Sequence, residues 1–489
     1  MVAGGVVAPN VWGAFCVRWS NPHSIAAAIL VSLGLVASAP RVGAAETIEA
    51  ALARAYQNNP QLNAQRAIVR QSDEGVAQAL SGYRPTISAN ASLGKQFTRE
   101  TENFPPIPGT PLTQGASVAI KGPTTPRSAG ATASQTLFNA QTAQKVRQAE
   151  SQVSAARETL RVMEQSVLLG AATAYMDMSR DSANLEVQQS NIRVLERTLK
   201  DTRDRFSVGQ VTATDVAQAE AQLAAGEASL HAAEATLSST RATYRRIIGN
   251  NPENLAPASP VDRLAPSTLT AAITLGSAQN PSVTAALYGV DVALLQVKIA
   301  EGALWPTLAL QGNIQQQFDA NVTTPKLFTE SALLNLSVPI YQAGSEYSAI
   351  RQNKEAVGQQ RLNVDQVRAQ TQANVVQAWG QLQAAKAQVE AAQRQGNAAE
   401  RALTGVRNEA LAGQRTTLDV LNAQQALVNA RVNLITAQHD RVVASYSLLS
   451  AVGRLSAQVL DLPVSIYDPA VHYHQVRDSW FGLRTPSGE

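Results

Sequence analysis

Cysteine is nearly absent from this chain of 489 residues: the single one, Cys16, lies near the N-terminus, ahead of an apolar run. Beyond that run there is none. This excludes disulfides, thiolate catalysis, cysteine-based zinc sites and a lipid-modified N-terminal cysteine from a mature chain. Aromatic residues are scarce as well, at 5%, and much of the apolar fraction is alanine, which suits long thin helices better than a thick globular core. No charge of one sign dominates. The formal charge of +3 falls to about +1 without Arg18 and Arg41, so no basic face for nucleic acid is implied. Proline is missing from two stretches, 140–208 and 344–412, each 69 residues long. At ~1.5 Å rise per residue, an unbroken helix of that length reaches about 100 Å.

The N-terminal segment carries Arg18 and His23 ahead of an apolar run from Ile25 to Val36, followed by the small residues Val42-Gly43-Ala44. That is the pattern of a signal peptide over 1–44, with the mature chain beginning near Ala45. The apolar run is too short to span a bilayer comfortably.

The remainder says the same thing twice. Val208-Gly209-Gln210-Val211-Thr212-Ala213-Thr214-Asp215-Val216 is echoed by Ala412-Gly413-Gln414-Arg415-Thr416-Thr417-Leu418-Asp419-Val420, and Ile248-Gly249 by Val452-Gly453, both at an offset of 204 residues. Upstream, Asn59-Pro60 matches Asn280-Pro281, and Tyr83-Arg84-Pro85-Thr86 matches Leu304-Trp305-Pro306-Thr307. Such self-similarity marks two structural repeats, 45–262 and 263–457, followed by a tail, 458–489. Each repeat opens with two helices, broken where Pro60 or Pro281 takes a first-turn position. After Pro85 and Pro306 the period changes to two, with Ile87, Ala89, Ala91 and Leu93 alternating against Thr86, Ser88, Asn90 and Ser92. Strands are expected at about 85–97, 128–138, 306–318 and 331–341, each about as long as the ~9–11 residues a tilted membrane strand needs. The segments between them, 98–127 and 319–330, read as exposed loops. Long helices follow at about 140–208 and 344–412. Gly209 and Gly413 break them, and return helices run over about 212–249 and 416–453, with Asp215 and Asp419 in the opening turns where carboxylates suit the dipole.

Four membrane strands set a physical problem. Lipid tolerates no unpaired backbone donors, and even the smallest barrels need about eight strands, so the chain must oligomerise. The alternation puts Thr, Ser, Asn and Gln on a wet lumen and apolar residues against lipid. Tyr83, Phe138, Trp305 and Tyr341 fall at the helix-side ends of the strands, as an interfacial girdle requires.

The signal peptide, the twice-repeated strand-hairpin and helix-hairpin unit, and the run Gly413-Gln414-Arg415-Thr416-Thr417-Leu418-Asp419-Val420-Leu421-Asn422-Ala423 resemble the TolC family of outer-membrane factors. The resemblance covers about 45–455. It implies an α+β membrane protein: a homotrimer whose chains contribute four strands each to a 12-stranded β-barrel in the outer membrane, continued by a periplasmic α-helical barrel. The implied function is an exit duct for drugs or secreted proteins. A periplasmic adaptor and an inner-membrane transporter of RND or ABC type would dock near Gly209 and Gly413. It implies no enzyme and no cofactor, and the sequence holds no Gly-rich phosphate loop. The family's periplasmic gate maps onto Arg415 and Asp419 in one helix pair and Thr214 and Asp215 in the other. A guanidinium fork can span such partners. Where the family often has a second acidic residue this chain has Asn422, and Ala410 replaces an aromatic. One acidic ring per trimer and weaker divalent-cation block are implied.

Other chemistry is thin. His472-Tyr473-His474 puts two imidazoles on one side of an extended segment without a carboxylate nearby, a poor metal site. His231 and His439 read as surface or packing residues, while Trp480 and Phe481 read as a packed or partner-bound tail. Two other classes share the long Ala/Gln helices. A periplasmic coiled-coil adaptor would lack the four alternating strands, and a filamentous scaffold would show sustained heptads in place of the glycine breaks.

Overall fold

The structure, a computed structural model, describes residues 45–489 except 107, 110–115, 253, 323, 487 and 489. The expected signal peptide lies outside the described residues. Thr47 caps α1 (Ile48–Asn58), its hydroxyl accepting from the Ala50 amide. Asn59 then caps α2 (Pro60–Leu80), whose first position is the expected proline. A short 3-10 turn, Ser81–Tyr83, leads into β1 (Thr86–Leu93). Next come β2 (Gln96–Phe104), β3 (Ala116–Thr124) and β4 (Arg127–Phe138). Two long helices follow, α3 (Ala140–Ser207) and α4 (Ala213–Ile248). The same order then recurs as α5 (Leu269–Gln279), α6 (Pro281–Gly302), β5 (Thr307–Phe318), β6 (Lys326–Ser337), α7 (Ser345–Leu411) and α8 (Thr417–Ala451). A final helix, α9 (Pro469–Val476), lies in the tail.

Four strands form one antiparallel sheet in the order β1-β4-β5-β6, leaving β1 and β6 as edges. Its register aligns the polar positions across all four strands. Ser88 lies opposite Thr132, Thr132 opposite Asn313, and Asn313 opposite Ser331. On the other face Ala89, Ala131, Ile314 and Glu330 form the matching row. Side-chain bonds tie the polar face together: Thr132 donates to Asn313 at 3.2 Å and Asn335 to Gln311 at 3.2 Å.

Three expectations about the strands need correction. The first strand ends at Leu93, not near 97, and the supposed loop 98–127 is largely a second antiparallel hairpin of β2 and β3. Thr, Val and Ile in that segment favour extended backbone; Pro105 and Pro106 fall beyond the end of β2, and Pro123 lies next to the last residue of β3. The last strand spans 326–337 instead of 331–341. Pro339 offers no ladder donor, and Ala343 and Gly344 turn the chain with φ of 54° and 85°. The loop at 319–330 shrinks accordingly.

The rods are continuous helices of 68 and 67 residues. Along α7 the buried residues Ile350, Val357, Val364, Thr371, Ala378, Ala385 and Ala392 recur every seventh position. A strict seven-residue period is a coiled-coil seam with left-handed supercoiling, so sustained heptads are present, contrary to expectation, inside rods that glycines fold back. The main core sits midway, where Leu52, Tyr56, Leu168, Tyr175, Tyr244 and Leu449 meet from α1, α3, α4 and α8. Buried hydroxyls there need partners. Tyr244 donates to Glu46 at 2.7 Å, and the Tyr175 oxygen lies 2.7 Å and 2.6 Å from the Glu46 and Ala256 carbonyls. Burial, and next the nearby Glu46 carboxylate, push Tyr175 up to about 12.

Candidate functional site

The far ends of both helical hairpins are built alike. At the end of α3, Gly209 adopts φ 74° and the Gln210 amide reaches back to the Arg205 carbonyl at 2.9 Å. At the end of α7, Gly413 adopts φ 78° and Gln414 reaches Glu409 at 2.9 Å. These six-to-one bonds close helices whose last carbonyls would otherwise lack partners. Each return helix then starts with a capping box. Thr212 accepts from the Asp215 amide while Asp215 accepts from the Thr212 amide at 2.9 Å and its hydroxyl at 2.8 Å. Thr416 and Asp419 repeat the pattern at 3.0 and 2.9 Å. The backbone bond, then the hydroxyl bond, hold Asp215 and Asp419 below the usual carboxylate range.

A cleft of about 450 Å³ joins the two tips, lined by residues that include Asp201, Arg205, Asp215, Arg407, Gly413 and Arg415. Arg415 and Asp215 therefore share one cavity, whereas Thr214, Asp419 and Asn422 are not among its lining residues. Within the chain the guanidinium of Arg415 does not bond to Asp419 or Thr214. Its Nε donates to Glu409 at 2.9 Å, a partner the sequence pattern did not reveal, brought near by the turn at Gly413. Asn422 is exposed on α8.

At the opposite end of the rods, Tyr83 closes the turn before β1, Phe138 ends β4, and Trp305 precedes β5 by two residues, all exposed. Tyr341 is exposed too, but it lies in the linker after β6 and not on a strand.

Two histidines carry more than expected. His439 is buried on α8 and bridges carboxylates, with Nε2 2.9 Å from Asp177 and Nδ1 2.8 Å from Asp440. Burial lowers its proton affinity, but the bonds to Asp177 and Asp440 outweigh this and leave it raised. Asp177 is pushed up by burial and, more strongly in sum, down by His439 and Arg180, and ends low. His472 lies on the helix α9 instead of an extended segment, 3.0 Å from a carboxylate oxygen of the buried Asp73. His231 is exposed beside Glu234. Among the described residues no cluster of three or more His, Cys, Asp or Glu is placed to hold a metal.

A sheet of alternating strands carried on long paired helices defines a class: outer-membrane channel components with a large periplasmic portion. The model of the family described as outer membrane efflux protein matches residues 51–250 and 273–454. The chain belongs to that family, which includes TolC and consists of channels and not of enzymes. It is 41% identical to the outer membrane efflux protein BepC of Brucella suis biovar 1, over 95% of this chain and 97% of that protein. To the outer membrane protein TolC of Vibrio cholerae it is 27% identical, over 86% and 93% of the two chains. Its fold resembles the crystal structure of the Campylobacter jejuni CmeC outer membrane channel, with a TM-score of 0.71 over 88% of this chain and 89% of that one at 16% identity. The protein is thus an outer-membrane efflux or secretion channel component.

Proposed function

We propose that three copies of the chain close into one channel-tunnel, the exit duct of a tripartite efflux pump or a type I secretion system. The observation that carries this reading is the four-stranded sheet with two open edges and one aligned polar face. An open edge cannot persist in lipid. Joining β6 of one copy to β1 of the next, around three copies, gives twelve strands enclosing the Thr, Asn and Gln face. The units 45–262 and 263–457 act as tandem repeats in this reading, and the rods of α3, α4, α7 and α8 continue the duct through the periplasm. The apolar stretch Leu269–Gly302, largely unburied in one chain, supports a second copy packing there.

The tips form the gate. Arg415 uses Nε on Glu409, which leaves its two outer nitrogens for a carboxylate such as Asp215 or Asp419 of a neighbouring hairpin. Both bonds to each aspartate go to Oδ2, so Oδ1 remains available. Thr214 and Asn422 complete the constriction, Asn422 as an uncharged ring. A periplasmic adaptor docks around Gly209 and Gly413, and an inner-membrane transporter supplies the energy. Purified trimers in planar bilayers test this: a small, mostly closed conductance should rise several-fold in Arg415→Ala. Absence of current from either protein, when both insert as folded trimers, would reject the duct.

A further inference from the structure

After α8 the chain turns back along α2 toward the strands. α9 is held there by His472 on the buried Asp73, by Arg157 stacked 5.3 Å from the Tyr473 ring, and by Arg477 at 3.8 Å from Glu150. The chain then reaches Arg84, which donates to the Ser479 carbonyl at 2.6 Å and lies 4.8 Å over the Trp480 ring. Arg84 follows Tyr83 and stands two residues before β1 begins. Trp480 is thereby held at the helix-side end of β1, beside the turn that carries the exposed Tyr83.

Trp480, Phe481 and Leu483 are 58%, 92% and 104% exposed, three large apolar side chains within four residues of a chain poor in aromatics. Arg84 and Arg484 flank them. Trp at the boundary, apolar side chains beyond it and adjacent cations form the pattern of an interfacial anchor facing anionic headgroups.

We propose that the segment Trp480–Leu483 is a lipid anchor that inserts into the periplasmic-side leaflet of the outer membrane, its occupant being phospholipid. The segment continues the aromatic belt at the strand ends, and the Arg84 contacts hold its first residue there. It rests on the reading of β1, β4, β5 and β6 as membrane strands. The docked α9 then ties the bilayer surface to the outside of the rods at α2 and α3.

From residue 45 onward the chain has three tryptophans, Trp305, Trp379 and Trp480, and Trp379 packs against a helical core cluster. Protein purified from outer membranes is reconstituted in phosphatidylethanolamine and phosphatidylglycerol vesicles whose acyl chains are brominated near the headgroup. Its fluorescence is compared for the wild type, Trp480→Phe and Trp305→Phe. The expected result is that each substitution removes roughly half of the lipid-quenched intensity. Quenching unchanged in Trp480→Phe but abolished in Trp305→Phe would overturn the anchor while the membrane strands stand. Trp480 shielded from both bromolipid and aqueous iodide would overturn it in favour of a second copy covering the tail. If neither Trp305 nor Trp480 is quenched, the membrane-strand reading falls and the anchor with it.

Discussion

At the scale of single residues, the tips are governed by two threonines. Thr416→Ala removes the oxygen that accepts from the Asp419 amide and donates to its carboxylate, a loss worth about 1 kcal/mol of local helix stability. Amide exchange over 413–420 should quicken several-fold while the core around Tyr175 is unchanged, and Thr416→Ser should restore protection. His439 makes a prediction with pH. Its folded value is raised above the ordinary 6.5, so its stabilising contribution is complete below that pH and is lost as pH rises through the folded value. Asp177 acts oppositely: lowered from 3.8, it contributes above that pH and fails as pH falls through its folded value. The thermal midpoint should therefore decline in the wild type as pH rises above the ordinary value of 6.5, and His439→Gln should flatten that decline. Residue pairs of this kind were the least legible part of the sequence. The Thr-x-x-Asp spacing announces a capping box, whereas Asp177 and His439 are 262 positions apart and meet only because α3 packs against α8. Glu409 was missed for a related reason, since its approach to Arg415 depends on the left-handed turn at Gly413.

Between elements, packing distances decide which glycines matter. Gly453 has φ 84°, and a Cβ there would lie 2.7 Å from the Asn280 Cα and 3.1 Å from the Gln279 carbonyl oxygen. Neither is a flexible side-chain end, so Gly453→Ala must shift backbone where α8 meets the break between α5 and α6, at a cost of order 1–3 kcal/mol or more. Gly75 lies inside α2, and a Cβ added there would meet nothing within 4 Å; Gly75→Ala should stabilise by roughly 0.5–1 kcal/mol. Thermal unfolding of the two variants should move in opposite directions, and equal shifts would contradict the packing described. Elements of this size were well legible. The proline-free runs located both rods within a residue or two at each end, because a long helix needs only the absence of breakers and a repeating apolar seam. The strands were read less well. Period-two alternation located the membrane-length strands, but it does not say where a ladder ends, and the β2–β3 hairpin carries its charged residues on both sides of an exposed ribbon with no buried face to impose a pattern.

For the molecule as a whole, the register of the sheet makes the channel testable with two neighbouring positions. Ser331 lies opposite Asn313 on the polar face and Ala332 opposite Gly312 on the other, near the middle of β6. The two differ by one residue in sequence and share one height, so helix packing, expression and chain length are common to both substitutions. If three sheets close around the polar face, Ala332→Arg sets a cation against hydrocarbon at a cost of about 2–4 kcal/mol per chain, and three such costs act together on one trimer. Ser331→Arg instead adds a ring of three cations to a wet lumen, where it stays solvated. Ala332→Arg should sharply reduce heat-modifiable trimers in the outer membrane, while Ser331→Arg should assemble at near wild-type levels and shift the reversal potential toward anion selectivity. The opposite pairing, with Ala332→Arg tolerated and Ser331→Arg disruptive, would mean that the sheet closes inside out. Because β6 is an edge strand, the same pair of variants also reports on closure between copies. A sheet left open would expose both faces of β6 to the same surroundings, and the two substitutions would then behave alike.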